Sequence, residues 1–290
     1  MAINLAEKYS KKLEERYYLD SIVAGKTSSD YDWDGVQSIK VYDIETYEPN
    51  DYKRTGDKRY GETKEVEDTL QIMTITQDKS NSLSVDKGNN TQQMMVKNAG
   101  KVANRQIRER YVPMLDKYCL KTWANFKYTD SEEDGGKVYK VLDKVDTSLT
   151  KSNIVEAIAA GETALVNNMV PLTNCYLYIG ATNFAKLTLS PEFLNLEKLG
   201  QKAVEKGKVG EVRSFSVVRV PDSYLPEKVN FMIVKKDAVL APVQVKDAKI
   251  HQDPPGLSGH LLEFRSIFDS FVKKNKACGI YVSRTEALAD

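Results

Sequence analysis

Two arms of alternating apolar and polar residues, separated by a long charged segment, restrict this chain more than any other feature of it. Residues 36–46, VQSIKVYDIET, set Val36, Ile39, Val41 and Ile44 among Ser, Lys, Asp and Thr, the period-two pattern of a half-buried strand. Residues 66–86, VEDTLQIMTITQDKSNSLSVD, alternate again, with Leu70, Ile72 and Thr74 opposed to Gln71, Met73 and Ile75. Between them, 47-YEPNDYKRTGDKRYGETKEVEDT-69 is about half charged and nearly free of aliphatic residues. A disordered linker has that polarity, but it does not account for a strand pattern on both sides. The spacing predicts a long antiparallel hairpin with its tip near Lys53–Gly61, where Gly56 and Gly61 supply turn-forming positions.

After the hairpin the period changes. From Thr91 to about Trp123, Ala99, Val102, Ala103, Ile107, Tyr111, Met114, Leu115, Tyr118 and Cys119 recur every three or four residues. This predicts the longest helix of the chain, roughly 50 Å at ~1.5 Å per residue. Pro113 lies inside it and Gly100 weakens its first part. A proline removes a backbone hydrogen bond, so the segment is either one kinked helix or two helices meeting at Tyr111–Pro113. Residues 1–18, MAINLAEKYSKKLEERYY, form a second helical pattern, with Ile3, Leu5, Tyr9, Leu13 and Tyr17 in one stripe.

The second half is mixed. Residues 128–140 are a polar, glycine-containing connection and a domain boundary by composition. Thr150 or Ser152 can cap a helix over 153–169 that Pro171 closes. A short buried strand over 174–180 and a short helix and loop over 181–194 come next. Residues 211–221, 230–250 and 259–282 are rich in β-branched and aromatic residues and read as strands, with turns at Pro221–Ser223 and 253-DPPGLSG-259. The class is α+β.

Composition limits the chemistry. The 290 residues suffice for one large domain or two medium ones, and 41% hydrophobic with 29% charged residues is ordinary for a soluble protein. No apolar run approaches the ~20 residues of a membrane span, and the N-terminus lacks the apolar core of a secretory signal. Forty-two basic against forty-one acidic residues give a net charge of +1, without broad attraction for nucleic acid or membrane phosphates. Cys119, Cys175 and Cys278 are far apart, a pattern of buried, reduced thiols.

Reactive constellations are missing. Ala24-Gly25-Lys26-Thr27 imitates the end of a phosphate loop, but Asp20 stands where its first glycine belongs, and a carboxylate there repels the anion. It reads as a solvated turn after the first helix. His251 and His260 flank the Pro-Pro-Gly turn without a nearby cysteine, and read as solvent-facing imidazoles rather than zinc ligands. The acidic run Asp130–Asp134 has neither a calcium-loop pattern nor a catalytic partner, and no Gly-x-Ser-x-Gly elbow occurs.

Three segments carry a family resemblance. The run 78-DKSNSLSVDKGNNTQQ-93, through Asp78, Lys79, Leu83, Val85 and Asp86, resembles the approach to the long helix of tailed-bacteriophage major capsid proteins. The run 111-YVPMLDKYCLKTW-123 is similar to that helix, with a Val-Pro step followed by Asp116 and Tyr118. Arg265, Phe268, Asp269, Phe271 and Val272 are similar to the family's C-terminal Arg-x-x-aromatic-Asp-x-aromatic-Val strand. The resemblance, over nearly the whole chain, implies the Hong Kong 97-type capsid fold. Its parts would be an N-terminal arm over 1–35, an E-loop over 36–86, a P-domain with the spine helix over 87–140, an A-domain over 141–235, and a return to the P-domain with the C-terminal strands over 236–290.

The same resemblance implies a non-enzymatic shell subunit without catalytic residue, cofactor or metal. It would assemble as hexamers and pentamers into an icosahedral shell enclosing phage double-stranded DNA, without sequence-specific binding. Its expected partners are further copies of itself, a scaffolding protein and a portal, with no membrane. Its expected location is the virion capsid, after assembly in the bacterial host cytoplasm. An isolated two-stranded hairpin is marginal in water, and on this reading the tip residues Tyr47, Tyr52, Lys53, Arg54, Asp57, Lys58, Arg59, Tyr60 and Glu62 contact a neighbouring subunit. Some relatives join an E-loop lysine to an asparagine of a neighbour. Lys53 and Lys58 are present, but 251-HQDPPGLSGH-260 offers no asparagine, so no crosslink is expected. The arm starts almost at once, which implies a scaffolding protein that is separate or absent. An encapsulin-type nanocompartment has the same fold around a protein cargo, and a soluble α+β enzyme with an unrecognised site is the alternative from another class.

Overall fold

The computed structural model describes residues 20–34, 38–44, 48–63, 65–66, 68–92, 98–129, 137–190 and 211–287. The predicted N-terminal stripe and the acidic run 130–134 lie outside them. Residues 30–75 form one compact unit, and the described residues before and after them form another.

In the smaller unit, β1 (Asp32–Asp34), β2 (Ser38–Ile44) and β3 (Asp68–Thr74) make an antiparallel sheet in that order. The predicted pairing of the two arms forms, with Ile39 opposite Met73 and Tyr42 opposite Leu70. Ile39 and Met73 are buried, whereas Tyr42, Ile44, Leu70 and Ile72 are exposed. Alternation thus fills one face of the ribbon and leaves an apolar set on the other. The second arm is not one strand, however. It breaks at Ile75–Thr76, and β4 (Gln77–Asp86) joins a sheet of the larger unit.

The helical region of the larger unit comprises α1 (Lys87–Gln92), α2 (Ala99–Gln106), a π-helical turn (Ile107–Tyr111) and α3 (Val112–Ala124). Asn98 caps α2, its side chain accepting from the N–H groups of Gly100 and Lys101. From Ala99 the path is unbroken over roughly 40 Å at ~1.5 Å per residue. Of the two readings of Pro113, the single helix holds, but a π turn precedes the proline. The Val112 N–H bonds Ile107 O, five residues back, so the ladder is already widened where Pro113 supplies no donor.

The remaining strands are β5 (Lys127–Thr129), β6 (Val138–Lys140), β7 (Leu142–Val145), β8 (Cys175–Gly180), β9 (Glu211–Val212), β10 (Phe215–Val220), β11 (Val229–Lys235), β12 (Val239–Leu240), β13 (Val243–Gln252), β14 (Gly259–Phe268), β15 (Phe271–Val272) and β16 (Ile280–Arg284). The sheet β13-β14-β4 packs on α2, with Val85, Leu262 and Phe264 against Ala103. The 128–140 connection begins and ends in a hairpin, β5 with β6.

The six-stranded sheet β7-β16-β11-β8-β10-β9 is covered on both faces. Leu177, Ile179, Phe231 and Ile233 pack with Ile154, Ile158 and Leu165 of α4 (Ile154–Asn167) and with Phe184 and Leu187 of α5 (Ala181–Thr188). Tyr178, Met232 and Val234 pack with Leu120 and Trp123 of α3. This explains why β8 and β11 read as nearly continuous apolar runs. Neither Thr150 nor Ser152 caps α4. Asn153 precedes the helix, and its side chain accepts the Thr150 N–H at 2.7 Å, which folds the capping candidates into the turn before it.

Gly161 sets how closely α4 approaches the sheet. A Cβ there would stand 2.7 Å from Ile233 Cδ1 and 2.9 Å from the Tyr281 ring. Alanine is worth up to about 1 kcal/mol more than glycine in a helix interior, but overpacking costs about 1–3 kcal/mol. Gly161→Ala is therefore expected to lower stability by about 1–2 kcal/mol, and Ile233→Val in the same chain to restore part of it. Urea denaturation of the single and double variants checks this, and a stabilised Gly161→Ala would contradict it.

Candidate assembly surfaces

The hairpin tip is an ordered loop. The Lys53 N–H donates to Arg59 O at 3.0 Å and the Gly61 N–H to Lys58 O at 2.9 Å. Lys58 takes a positive φ of 53°, beside Gly56 at 90° and Gly61 at 87°, the left-handed positions the two turn glycines announced. Tyr52 and Tyr60 meet edge to face with centroids 5.1 Å apart, yet Tyr60 remains 86% exposed.

The charges at the tip are mostly unspent. Lys58 Nζ pairs with Glu62 Oε1 at 2.6 Å and Arg59 Nε donates to Gly56 O at 3.3 Å. Lys53, Arg54 and Asp57 are exposed and have no ion-pair partner among the described residues. Of the predicted contact residues, the structure thus gathers Tyr52, Lys53, Arg54, Asp57, Lys58, Arg59, Tyr60 and Glu62 at one tip, while Tyr47 lies outside the described residues. The exposed set Tyr42, Ile44, Leu70 and Ile72 was not singled out from sequence. Its signal is the alternation itself, which leaves one face of a thin ribbon without a core.

The motif residues in the larger unit are joined to one another or to distant backbone. Arg265 donates through Nη2 to Asp78 Oδ2 at 2.6 Å and through Nε to Oδ1 at 3.1 Å. This two-pronged bond holds the Asp78 carboxyl below its usual range. Asp116, buried in α3, accepts from Ser21 Oγ at 2.8 Å and the Ile22 N–H at 3.0 Å. Asp269 accepts from the Thr76 N–H at 2.7 Å, Thr76 Oγ1 at 2.9 Å and Tyr118 Oη at 2.7 Å. Burial, followed by the Asp269 carboxylate, raises the Tyr118 hydroxyl pKa.

Several expectations need correction. Ala24 and Gly25 form an exposed turn, as read, but the chain on either side is held to the fold: Ile22 and Val23 are buried, Lys26 is half-buried with Nζ donating to Ile22 O at 2.8 Å, and the Ser28 N–H reaches Val239 O at 2.9 Å. Burial lowers the Lys26 pKa, opposed by the charge of Asp116. Both histidines lie on paired strands. His251 is exposed, as expected, with Nε2 3.0 Å from Glu263 Oε2, whereas His260 is only partly exposed and its Nδ1 is buried without a hydrogen-bond partner among the described residues. Cys119 and Cys175 are buried thiols, but Cys278 is partly exposed. Burial pushes the Cys119 thiol up to about 12. Among the described residues, no three His, Cys, Asp or Glu side chains gather as a metal site, and no helix is long and apolar enough to cross a membrane.

No protein-family model and no curated protein matches the sequence. The fold does have solved counterparts. A chain of Mycobacterium phage Che8 superposes with a TM-score of 0.69 at 14% identity, covering 97% of both chains. The capsid structure of cyanophage P-SCSP1u gives 0.72 at 11% identity, covering 96% of this chain and 92% of the other. The mature capsid of bacteriophage PhiM1 gives 0.65 at 12% identity, covering 96% and 91%. The fold is the Hong Kong 97-type capsid fold, as the resemblance implied.

Proposed function

We propose that this chain is a phage major capsid protein, a structural subunit that assembles into an icosahedral shell around double-stranded DNA in the virion. The observation that carries the reading is the end-to-end correspondence with phage capsid chains, over 96% or more of this chain, despite 11–12% identity to the cyanophage and PhiM1 capsids. At that identity few side chains are shared, so the likeness lies in the arrangement of elements.

On this reading the unit 30–75 belongs to the E-loop, the long helix and the sheet β13-β14-β4 to the P-domain, and the six-stranded sheet with α4 and α5 to the A-domain. The role is non-enzymatic. Hexamers and pentamers form through copies of the same chain, a scaffolding protein and a portal complete assembly, and assembly precedes release from the host cytoplasm. The E-loop tip and the exposed ribbon face find their partners on the next subunit, where unpaired charges of both signs set register and the apolar set leaves water. Such a head-to-tail contact uses two different patches and generates rings.

Electron microscopy of the purified protein, with and without co-expressed scaffold, tests the shell reading. Rings, tubes or shells are expected, and a monomer that never associates at high concentration would overturn it. Deletion of Asp51–Glu62 tests the interface. The subunit is expected to fold with unchanged secondary structure and to form no closed shell. Normal shells from the deleted chain would show that the tip is dispensable.

A further inference from the structure

The chain passes between the two units twice, after Ser29 and again before Thr76. On the larger unit both junctions reach one short piece of structure. The strap Ser21–Ser28 leads to the first. It is held at Asp116 through Ser21 and Ile22, and its end lies parallel to Leu240 of β12, with the Ser28 N–H donating to Val239 O at 2.9 Å. At the second junction Thr76 gives both its N–H and its hydroxyl to Asp269 Oδ2, at 2.7 and 2.9 Å.

Asp269 stands two residues before β15, the strand that pairs with β12, Val239 opposite Val272 and Leu240 opposite Phe271. Directly after β15, Lys273 extends its Nζ to 3.5 Å from Ser28 Oγ. One run of five residues, Asp269–Lys273, therefore reaches both junctions, with its acid on the returning chain and its base on the outgoing one. Asp269 and Lys273 are both buried. Burying a carboxylate and an ammonium is costly unless each is bonded, which places these charges here for what they hold rather than for packing.

The run depends on its two ends together. β12 and β15 pair over two residues, and so short a two-stranded ladder is marginal by itself. It is closed at one end by the Asp269 N–H on Pro242 O at 3.1 Å, and at the other by the Lys273 N–H on Ala238 O at 2.9 Å. Between them Ser270 Oγ donates to Leu240 O at 3.4 Å. Opening either end leaves too little ladder to keep the other in register.

We propose that Asp269–Lys273 is a single latch for both junctions, so that Ser28 and Thr76 are held together and released together. The latch belongs to the single subunit and does not depend on shell assembly. Hydrogen exchange of the full chain, resolved to single amides by fragmentation mass spectrometry, tests it. The Ser28 and Thr76 amides are expected to show protection within about threefold of each other, and at least about tenfold below that of Leu177 and Ile233 in the six-stranded sheet. Asp269→Asn loosens one end of the latch and Lys273→Met the other. Each is expected to lower the protection of both amides by the same factor, about tenfold for the first and about threefold for the second. A substitution that moves the near amide and leaves the far one unchanged would overturn the proposal. So would equal protection at all four amides, because release would then be unfolding of the whole chain.

Discussion

Replacing Asp269 by alanine is expected to lower the free energy of unfolding by about 3–5 kcal/mol. The carboxylate is 3% exposed and ties three parts of the chain together. Its Oδ2 takes both the N–H and the hydroxyl of Thr76, at the break between β3 and β4, and its Oδ1 takes Tyr118 Oη from α3 and the Ser270 N–H at 2.7 Å. Alanine leaves those donors facing a space that cannot satisfy them, and each buried orphan costs about 1–3 kcal/mol. The costs do not simply add, because Tyr118 and Thr76 can turn toward other partners. Tyr118→Phe removes one donor together with its bond and is expected to cost only about 1 kcal/mol. A double-mutant cycle between the two positions, read by urea denaturation, should return a coupling well above zero. A loss below about 1 kcal/mol for Asp269→Ala would mean that the carboxylate does not organise this junction.

The same residue shows where reading the sequence stops. The β-pattern over 66–86 runs through Ile75 and Thr76 without interruption, so nothing local marks the division into two strands. At the division the Thr76 N–H and hydroxyl are taken by Asp269, 193 positions later in the chain. Local signals did carry the elements whose causes are local. Gly56 and Gly61 announced the tip because positive φ is a property of single residues, and the three-to-four period announced the long helix because it is one continuous face. Pro113 marked a disturbance but not its form, since a kink and a π turn both accommodate a missing donor. His260 was read as exposed from its place beside a turn, yet the register that pairs it with Val85 and Gln252 leaves its Nδ1 covered. At the tip, the residue types foretold the surface, while the Tyr52–Tyr60 contact depends on a loop geometry that spacing does not specify. The ribbon's exposed apolar face was visible as alternation. Which face lacks a core could be known only once the pairing was.

Asp116→Ala is expected to cost about 2–4 kcal/mol. Asp116 lies in α3 and is 1% exposed, and its carboxylate receives the Ile22 N–H and the Ser21 hydroxyl from the strap that crosses it. Without it the buried Ile22 N–H has no acceptor, and the strap loses its attachment beside the core residues Ile22 and Val23. Asp116→Asn separates shape from charge. Its amide oxygen can accept the Ile22 N–H while its nitrogen donates to Ser21 Oγ, so the cost near pH 7 is expected to stay within about 1 kcal/mol. The charge has its own signature. Burial, the largest influence, raises the Asp116 carboxyl pKa, and the bonds from Ile22, Ser21 and Val23 and the nearby Lys26 charge only partly oppose it. A folded-state pKa above the unfolded one means that the folded chain holds the proton more tightly. The contribution of Asp116 is thus fully present below the unfolded value of about 3.9, and it is lost as the pH rises through the raised folded value. Wild type should therefore gain on Asp116→Asn as the solution is acidified, although the two are nearly equal near neutrality. Urea titrations of both proteins at about pH 7 and about pH 4 would measure the difference, and a gap that does not change between them would mean that the buried carboxylate is not a source of pH dependence.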